Sequence, residues 1–279
     1  MNLFNIVRPE DIRPVERRGE VNPVMGFFTD TTLCIGCKAC EVACKQWNQL
    51  PADGLNYTGH SYDNTSHLGA TTWRHVAFVE QVDTTRRRET SRWLMMSDVC
   101  KHCVEAPCQE ACPTGSIIYN EFGNVYVQPD ICNGCGYCIA ACPFGVLARS
   151  DDDGHAHKCT LCYDRQKGDM TPACAKACPT ASIQYGRIED LKERARQRVE
   201  QLHTQGETQA YLYGAEATEE YSELNAFFLL TERPSAYNLP EKPTKATRDM
   251  GSRYAVSLAV GVALTLFSAL CFATGNKEK

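Results

Sequence analysis

The chain contains no glycine-rich phosphate loop and no GxSxG nucleophile elbow, which removes two common seats of phosphoryl and acyl transfer. Neither sign of charge dominates: 29 Lys and Arg stand against 34 Asp and Glu, a net charge of -5, so nothing electrostatic points to nucleic acid. The opening residues, MNLFNIVRPEDIRPVERRGE, lack an apolar stretch of signal-peptide length, and export would need another carrier. Histidine is scarce, with seven residues and none beyond His203. The pair His155 and His157 sits in a polar DDDGHAHK segment, better read as solvated loop than as a metal site. Charge is missing altogether from Tyr254 to Asn276, 23 consecutive residues. As a helix, the apolar centre from Ala255 to Ala273 would be about 28 Å long, close to the hydrocarbon thickness of a bilayer. A buried core helix is the alternative, but the stretch has no amphipathic stripe and is flanked by Arg253 and Lys277, which favours a membrane span.

Cysteine, by contrast, is abundant. Seventeen residues in a small secreted chain would suggest a disulfide scaffold, but here they are tightly grouped in a longer one, which favours metal ligation. The first run, CIGCKACEVAC, contains Cys34, Cys37, Cys40 and Cys44; the second, CKHCVEAPCQEACP, contains Cys100, Cys103, Cys108 and Cys112. The third, CNGCGYCIAACP, has Cys132, Cys135, Cys138 and Cys142 at unmodified bacterial ferredoxin spacing. The fourth, CTLCYDRQKGDMTPACAKACP, has Cys159, Cys162, Cys174 and Cys178, with eleven residues before its third cysteine. A cubane cluster needs four thiolates from different directions, and a tight loop wraps three around one face. In two-cluster ferredoxins the last cysteine of each run, usually followed by proline, ligates the other run's cluster. Cys112, Cys142 and Cys178 are each followed by Pro, which stops a short helix there, whereas Cys44 is followed by Lys45. Structural zinc usually takes two CxxC pairs across a longer loop, so four CxxC-x(2-11)-C-xxx-C runs favour iron-sulfur. Cys271 lies in the apolar tail and is expected to ligate nothing.

Around these runs the chain divides into a polar N-terminal arm (1–25), a cysteine-rich domain (26–187), a helical and extended linker region (188–250) and an anchor with a short tail (251–279). After a polar loop (about 48–70), RHVAFVEQV and SRWLMMSDV suggest a hairpin insertion over 74–98, with three arginines at 86–88 best read as its solvated tip. PTGSIIYNEFGNVYVQPDIC supplies two short strands and a turn between the second and third runs. Ile188, Leu191, Val199 and Leu202 recur at near-helical intervals, predicting an amphipathic surface helix. Three prolines and several charges over 232–248 predict an extended linker.

Together with CKACEVACKQWN, MMSDVCKHC and CTLCYDRQKGDMTPACAKACPT, the four-run pattern resembles the beta subunits of membrane-bound molybdenum or tungsten oxidoreductases, most of all formate dehydrogenase beta subunits. The likeness covers residues 25–190, and the single C-terminal span supports it, since dimethyl sulfoxide reductase subunits usually lack one. Nitrate reductase beta subunits replace a third-run cysteine by tryptophan, whereas this chain keeps Cys135. The resemblance implies an α+β fold of two ferredoxin-like modules related by a pseudo-two-fold, four 4Fe-4S clusters, and a transmembrane helix. It also implies the ligand sets. One cluster would take Cys34, Cys37, Cys40 and Cys178, its neighbour Cys159, Cys162, Cys174 and Cys44. A third would take Cys100, Cys103, Cys108 and Cys142, and the fourth Cys132, Cys135, Cys138 and Cys112.

The family's activity needs a pterin-bound metal on a large catalytic chain, for which this sequence offers no constellation, so no catalytic residue is expected here. An anchor without histidine cannot supply the usual axial ligands of a b-type haem. The implied partners are therefore a catalytic molybdopterin (Mo or W) subunit, a membrane cytochrome b-type subunit and the lipid bilayer, with electrons passing to quinone in a respiratory chain. His102, between Cys100 and Cys103, is a candidate for adjusting a cluster's potential. The expected location is the inner membrane, single-pass. Lys242, Lys245, Arg248 and Arg253 before the span weakly favour a cytoplasmic domain, while family precedent includes periplasmic ones. Two alternatives stand beside this reading: the same relay in a hydrogenase or a polysulfide or sulfoxide reductase complex, and a membrane-tethered zinc-binding adaptor.

Overall fold

The computed structural model describes residues 23–53, 65, 67–81, 92–246, 248 and 250–275. The N-terminal arm up to residue 22, the arginine-bearing hairpin tip and residues 54–64 of the polar loop lie outside the described residues.

Strand β1 (Met25–Asp30) leads through a 3-10 turn into the first cysteine run and α1 (Ala39–Asn48). Strands β2 (Arg74–Gln81) and β3 (Arg92–Val99) form the expected antiparallel hairpin, with Arg74 opposite Val99 and Gln81 opposite Arg92. The second run closes in α2 (Pro107–Glu110), and β4 (Ile117–Tyr119) pairs with β5 (Val125–Val127) as the short hairpin before the third run. That run ends in α3 (Tyr137–Ala141); β6 (Ala148–Arg149) and β7 (Ala156–His157) then pair, and the fourth run carries α4 (Tyr163–Lys167) and α5 (Ala173–Ala177). Beyond it come β8 (Ile183–Arg187), α6 (Ile188–Thr204), β9 (Tyr211–Tyr213), β10 (Ala226–Leu230) and α7 (Met250–Gly275).

The cysteine runs share two local devices. Two residues after the first cysteine of every run the backbone turns left-handed: φ is 66° at Gly36, 43° at His102, 69° at Gly134 and 54° at Leu161. This doubles the chain back so that both cysteines of a CxxC face one space; glycine takes that conformation without strain, while His102 and Leu161 must be held there by packing. At the Cys-Pro endings, Cys112, Cys142 and Cys178 accept backbone hydrogen bonds at 3.4 Å from Gly115, Gly145 and Ala181. Each donor again has positive φ, and proline prevents the preceding helix from running on. Cys44, followed by lysine, lies inside α1, which continues to Asn48.

A four-stranded sheet in the order β8-β1-β10-β9 sits behind the runs, with β1 antiparallel to β8 and parallel to β10. Its strands alternate: Phe28, Phe227 and Leu229 pack under α6 against Ile188, Leu191, Ala195 and Leu202, while Phe27, Phe228 and Leu230 join the cysteine-rich core. Each fully buried Leu or Phe contributes about 1.5–3 kcal/mol, so α6 is fastened by the stripe read from sequence. The sheet crosses the expected boundary at 187/188, because β10 comes from the expected linker region and completes the layer that β1 and β8 begin.

The extended linker expected over 232–248 is packed in its first half. Pro234 opens a 3-10 turn, a position that needs no N–H, and Tyr237 and Leu239 behind it are buried in the core. Further on, Lys245 bonds Glu105 and lies 3.1 Å from Glu110, fastening the approach to the anchor beside the second run. Helix α7 is long and apolar enough to cross a membrane over Gly251–Phe272, with a mean hydropathy of 2.2, and none of that span is buried against the protein. It is therefore not a core helix of this fold.

Candidate iron-sulfur centres

Cys34, Cys37, Cys40 and Cys178 line one cavity holding about 290 Å³ of empty space, walled by Val76, Ser97 and Ile183. The first run thus meets the last cysteine of the fourth. Burial pushes the Cys40 thiol up to about 12, against the opposing pull of Arg74 and the Ser97 hydroxyl. Burial also raises Cys34, and Cys178 and Cys37 beside it add to the effect.

The second group is Cys44 with Cys159, Cys162 and Cys174. All four are buried, and the Cys44 thiol is raised by burial and by the proximity of the other three. Cys159 is pushed up to about 12 by burial, with Cys100 and Cys174 as neighbouring charges, so it also marks where this group adjoins the next.

Cys100, Cys103, Cys108 and Cys142 line a second cavity of about 290 Å³, closed by His102, Phe144 and Tyr221. Burial again dominates, and Cys103 reaches about 12. In the fourth group, Cys138 rises to about 11 through burial and through Cys132, Cys112 and Cys135. Cys112 goes the other way: slight burial raises it, but the hydroxyls of Ser116 and Thr114 and the amides of Ile117 and Thr114 outweigh this and lower it to about 6. Ser116 Oγ lies 3.2 Å from its sulfur.

All sixteen cysteines singled out in the sequence thus fall into four sets of four. Cys271 lies on α7, outside every set. The donor set, three thiols from one run and a fourth from another in each group, is the one a 4Fe-4S cluster takes. Four thiols converging from two different runs match the ligand set of a cubane whose corners are held apart by its own sulfides. Because ligating cysteines must be thiolates, filling these cavities with iron releases the protons that burial holds on.

Two 4Fe-4S dicluster domain models match the chain, over residues 33–116 and 91–188, most of the cysteine-rich region. Formate dehydrogenase-O iron-sulfur subunit of Escherichia coli is 37% identical over 236 residues, covering 83% of this chain and 76% of that protein. The formate dehydrogenase iron-sulfur subunit of Haemophilus influenzae is 41% identical over 246 residues, covering 87% of this chain and 77% of the relative. This chain belongs to the formate dehydrogenase iron-sulfur subunit family. A subunit of the anaerobic dimethyl sulfoxide reductase of Escherichia coli is more distant, at 32% identity over 174 residues, 61% of this chain and 76% of that protein. As a member of the family, the chain has the α+β fold of two dicluster ferredoxin-like modules, followed by one apolar helix, and carries four 4Fe-4S clusters. The two domain matches follow the chain in order, whereas in space the first run faces the fourth.

Several side chains at these family centres were not read from the sequence. Tyr221, buried, donates its hydroxyl to Cys103 Sγ at 3.2 Å. Arg74, fully enclosed at the base of β2, donates to Cys174 Sγ at 3.3 Å. The only sequence signals were an arginine opening an apolar strand and a tyrosine amid glutamates. His102 is wholly buried in the wall of the second cavity, and burial together with Lys158 and Arg74 keeps it neutral. His157 is engaged by Asp153 at 2.8 Å in its loop, which is the bland reading of that pair.

Proposed function

We propose that the chain relays electrons through its four clusters from a formate-oxidising catalytic subunit, carrying molybdenum or tungsten on a pterin, to a membrane cytochrome b partner and quinone. The observation that carries this reading is the order of exposure. Cys37 and Cys135 are exposed and belong to the first and fourth groups, whereas all of Cys44, Cys159, Cys162 and Cys174 are buried, and so are Cys100, Cys103 and Cys108 of the remaining group, with Cys142 half-buried. Cys159 adjoins Cys100, which links these two groups. The sequence of centres is then Cys37 end, Cys44 group, Cys103 group, Cys135 end, with surface contact only at the extremes.

When bound, each cluster supplies one-electron chemistry at a potential set by charge, burial and hydrogen bonds to sulfur, somewhere within roughly -700 to +450 mV. The protein's part is to fix the ligands, exclude water from the two middle centres, and offer a face at each end. Ile35, Val42 and Trp93 are exposed near the Cys37 end, a suitable surface for the catalytic subunit. Lys245 ties the chain just before α7 to Glu105 and to Glu110, two residues before Cys112 of the fourth group, which supports the Cys135 end as the one nearer the membrane. The family relatives are named for formate dehydrogenase, and this supports formate as the ultimate donor.

The test is low-temperature EPR of the anaerobically solubilised complex before and after formate. Reduced-cluster signals produced by formate support the whole reading. Reduction by dithionite alone would leave the relay standing and remove formate, opening the way to another catalytic partner of the same class.

A further inference from the structure

The hairpin β2–β3 interrupts the chain between the first and second cysteine runs, and its base places two polar side chains between the first two groups of thiols. Arg74, at 2% exposure, is the first residue of β2; Ser97, at 1%, lies on β3. Arg74 Nη2 donates to Cys174 Sγ at 3.3 Å, and its Nη1 donates to the Ser97 carbonyl at 3.2 Å and to Ser97 Oγ at 3.3 Å. Ser97 Oγ in turn lies 3.3 Å from Cys40 Sγ. A continuous path, Cys174–Arg74–Ser97–Cys40, therefore joins the two groups. The guanidinium rests 4.8 Å over the Phe27 ring, which fixes its plane.

The charge balance of this arginine is unusual. Burying a guanidinium is costly unless a negative partner compensates it, and among the described residues no carboxylate forms an ion pair with Arg74. The groups that favour its charged form are Cys174, Cys40, Cys159 and Cys44. The two buried lysines near the centres lie by the Cys103 group: Lys101 bonds Asp98 and the Val99 carbonyl and faces Cys142, and Lys158 bonds the Val125 and Cys159 carbonyls and faces Cys108.

We propose that Arg74, held by Ser97, is a positioning residue that sets the reduction potentials of both clusters held by the first and fourth cysteine runs, here the outer pair as against the inner pair of the second and third runs, acting as one fixed positive charge shared between them. The proposal rests on the reading that Cys40 and Cys174 ligate two different clusters. Taking up one electron adds one negative charge to a thiolate-held cluster and needs no proton. Arg74 stays cationic throughout, so it favours the reduced form of each neighbour and raises its potential. The hairpin is then more than a structural insertion: it delivers the charge that poises the entry half of the relay.

The test uses the whole complex, purified without air, with iron per chain measured alongside an EPR-monitored redox titration. The outer signals are identified by their loss in Cys37→Ser and Cys162→Ser. Arg74→Gln should lower both outer potentials and leave the inner two in place, and Arg74→Lys should restore most of the shift. Four intact clusters with unmoved potentials in Arg74→Gln would overturn the proposal, as would Arg74→Lys lying as low as Arg74→Gln. If Arg74→Gln does not load the outer pair, Ser97→Ala decides: a downward shift of the Cys37-marked signal supports the bridge, and an unmoved potential refutes it. Should Cys37→Ser and Cys162→Ser abolish the same signal, the ligand reading beneath the proposal fails instead.

Discussion

Replacing Tyr221 by phenylalanine removes one oxygen and leaves the ring that packs edge-on against Phe144, 5.6 Å between centroids. The hydroxyl lost is the one that donates to Cys103 Sγ at 3.2 Å in a buried setting. A hydrogen bond to a charged group is worth about 1.5–3 kcal/mol, but only the part that strengthens when the electron arrives affects the potential. Taking that part as about 1 kcal/mol, and about 1.4 kcal/mol per tenfold change or 59 mV for one electron, Tyr221→Phe should lower one cluster's potential by about 40 mV. The assay is an anaerobic EPR redox titration with iron content as a control. The signal that moves should be the one lost in Cys103→Ser. A potential unchanged within about 10 mV, on the same one-electron scale, would show that the contact does not act on the cluster, and a shift spread over all four would show that the substitution disturbs the fold.

Three further outcomes follow from the geometry. Cys34→Ala and Cys178→Ala should disturb the same spectroscopic centre, because both thiols line one cavity; effects on two different centres would refute that ligand set. Arg198→Ala should destabilise the fold by about 2–3 kcal/mol, read as a lowered Tm, because it strands the wholly buried Asp30 carboxylate that Arg198 Nε reaches at 2.9 Å, with Thr32 as its remaining donor. Iron-free protein should lose stability as pH rises. Cys103 and Cys159 are raised from 9.0 to about 12, so the unfolded thiols ionise first and pull the equilibrium over from about pH 9 upward, while below that the contribution is intact. Circular dichroism melts of the apo chain at pH 7 and pH 10 test this, and a higher Tm at pH 10 would contradict it.

The spacing of the cysteines carried most of what could be read from sequence, because iron ligation fixes residue type and interval together. The Cys-Pro endings, the two hairpins and the apolar stripe of α6 were legible for similar local reasons: each is decided by a few neighbouring residues. What was not legible depends on partners distant in the chain. NAFFLL (225–230) looks like any apolar run, and becomes the strand β10 only because β1, some two hundred positions earlier, lies parallel to it. Prolines and charges made 232–248 look extended, yet Tyr237 and Leu239 fill the core. Arg74 and Tyr221 carry no motif at all; each is defined by a sulfur about a hundred or more residues away.

The most direct test of the central claim is iron and acid-labile sulfide analysis of the anaerobically purified chain in its complex, paired with EPR of the fully reduced state. Four 4Fe-4S clusters predict about sixteen irons per chain and a spectrum of interacting reduced clusters. A colourless preparation containing zinc in place of iron would contradict it.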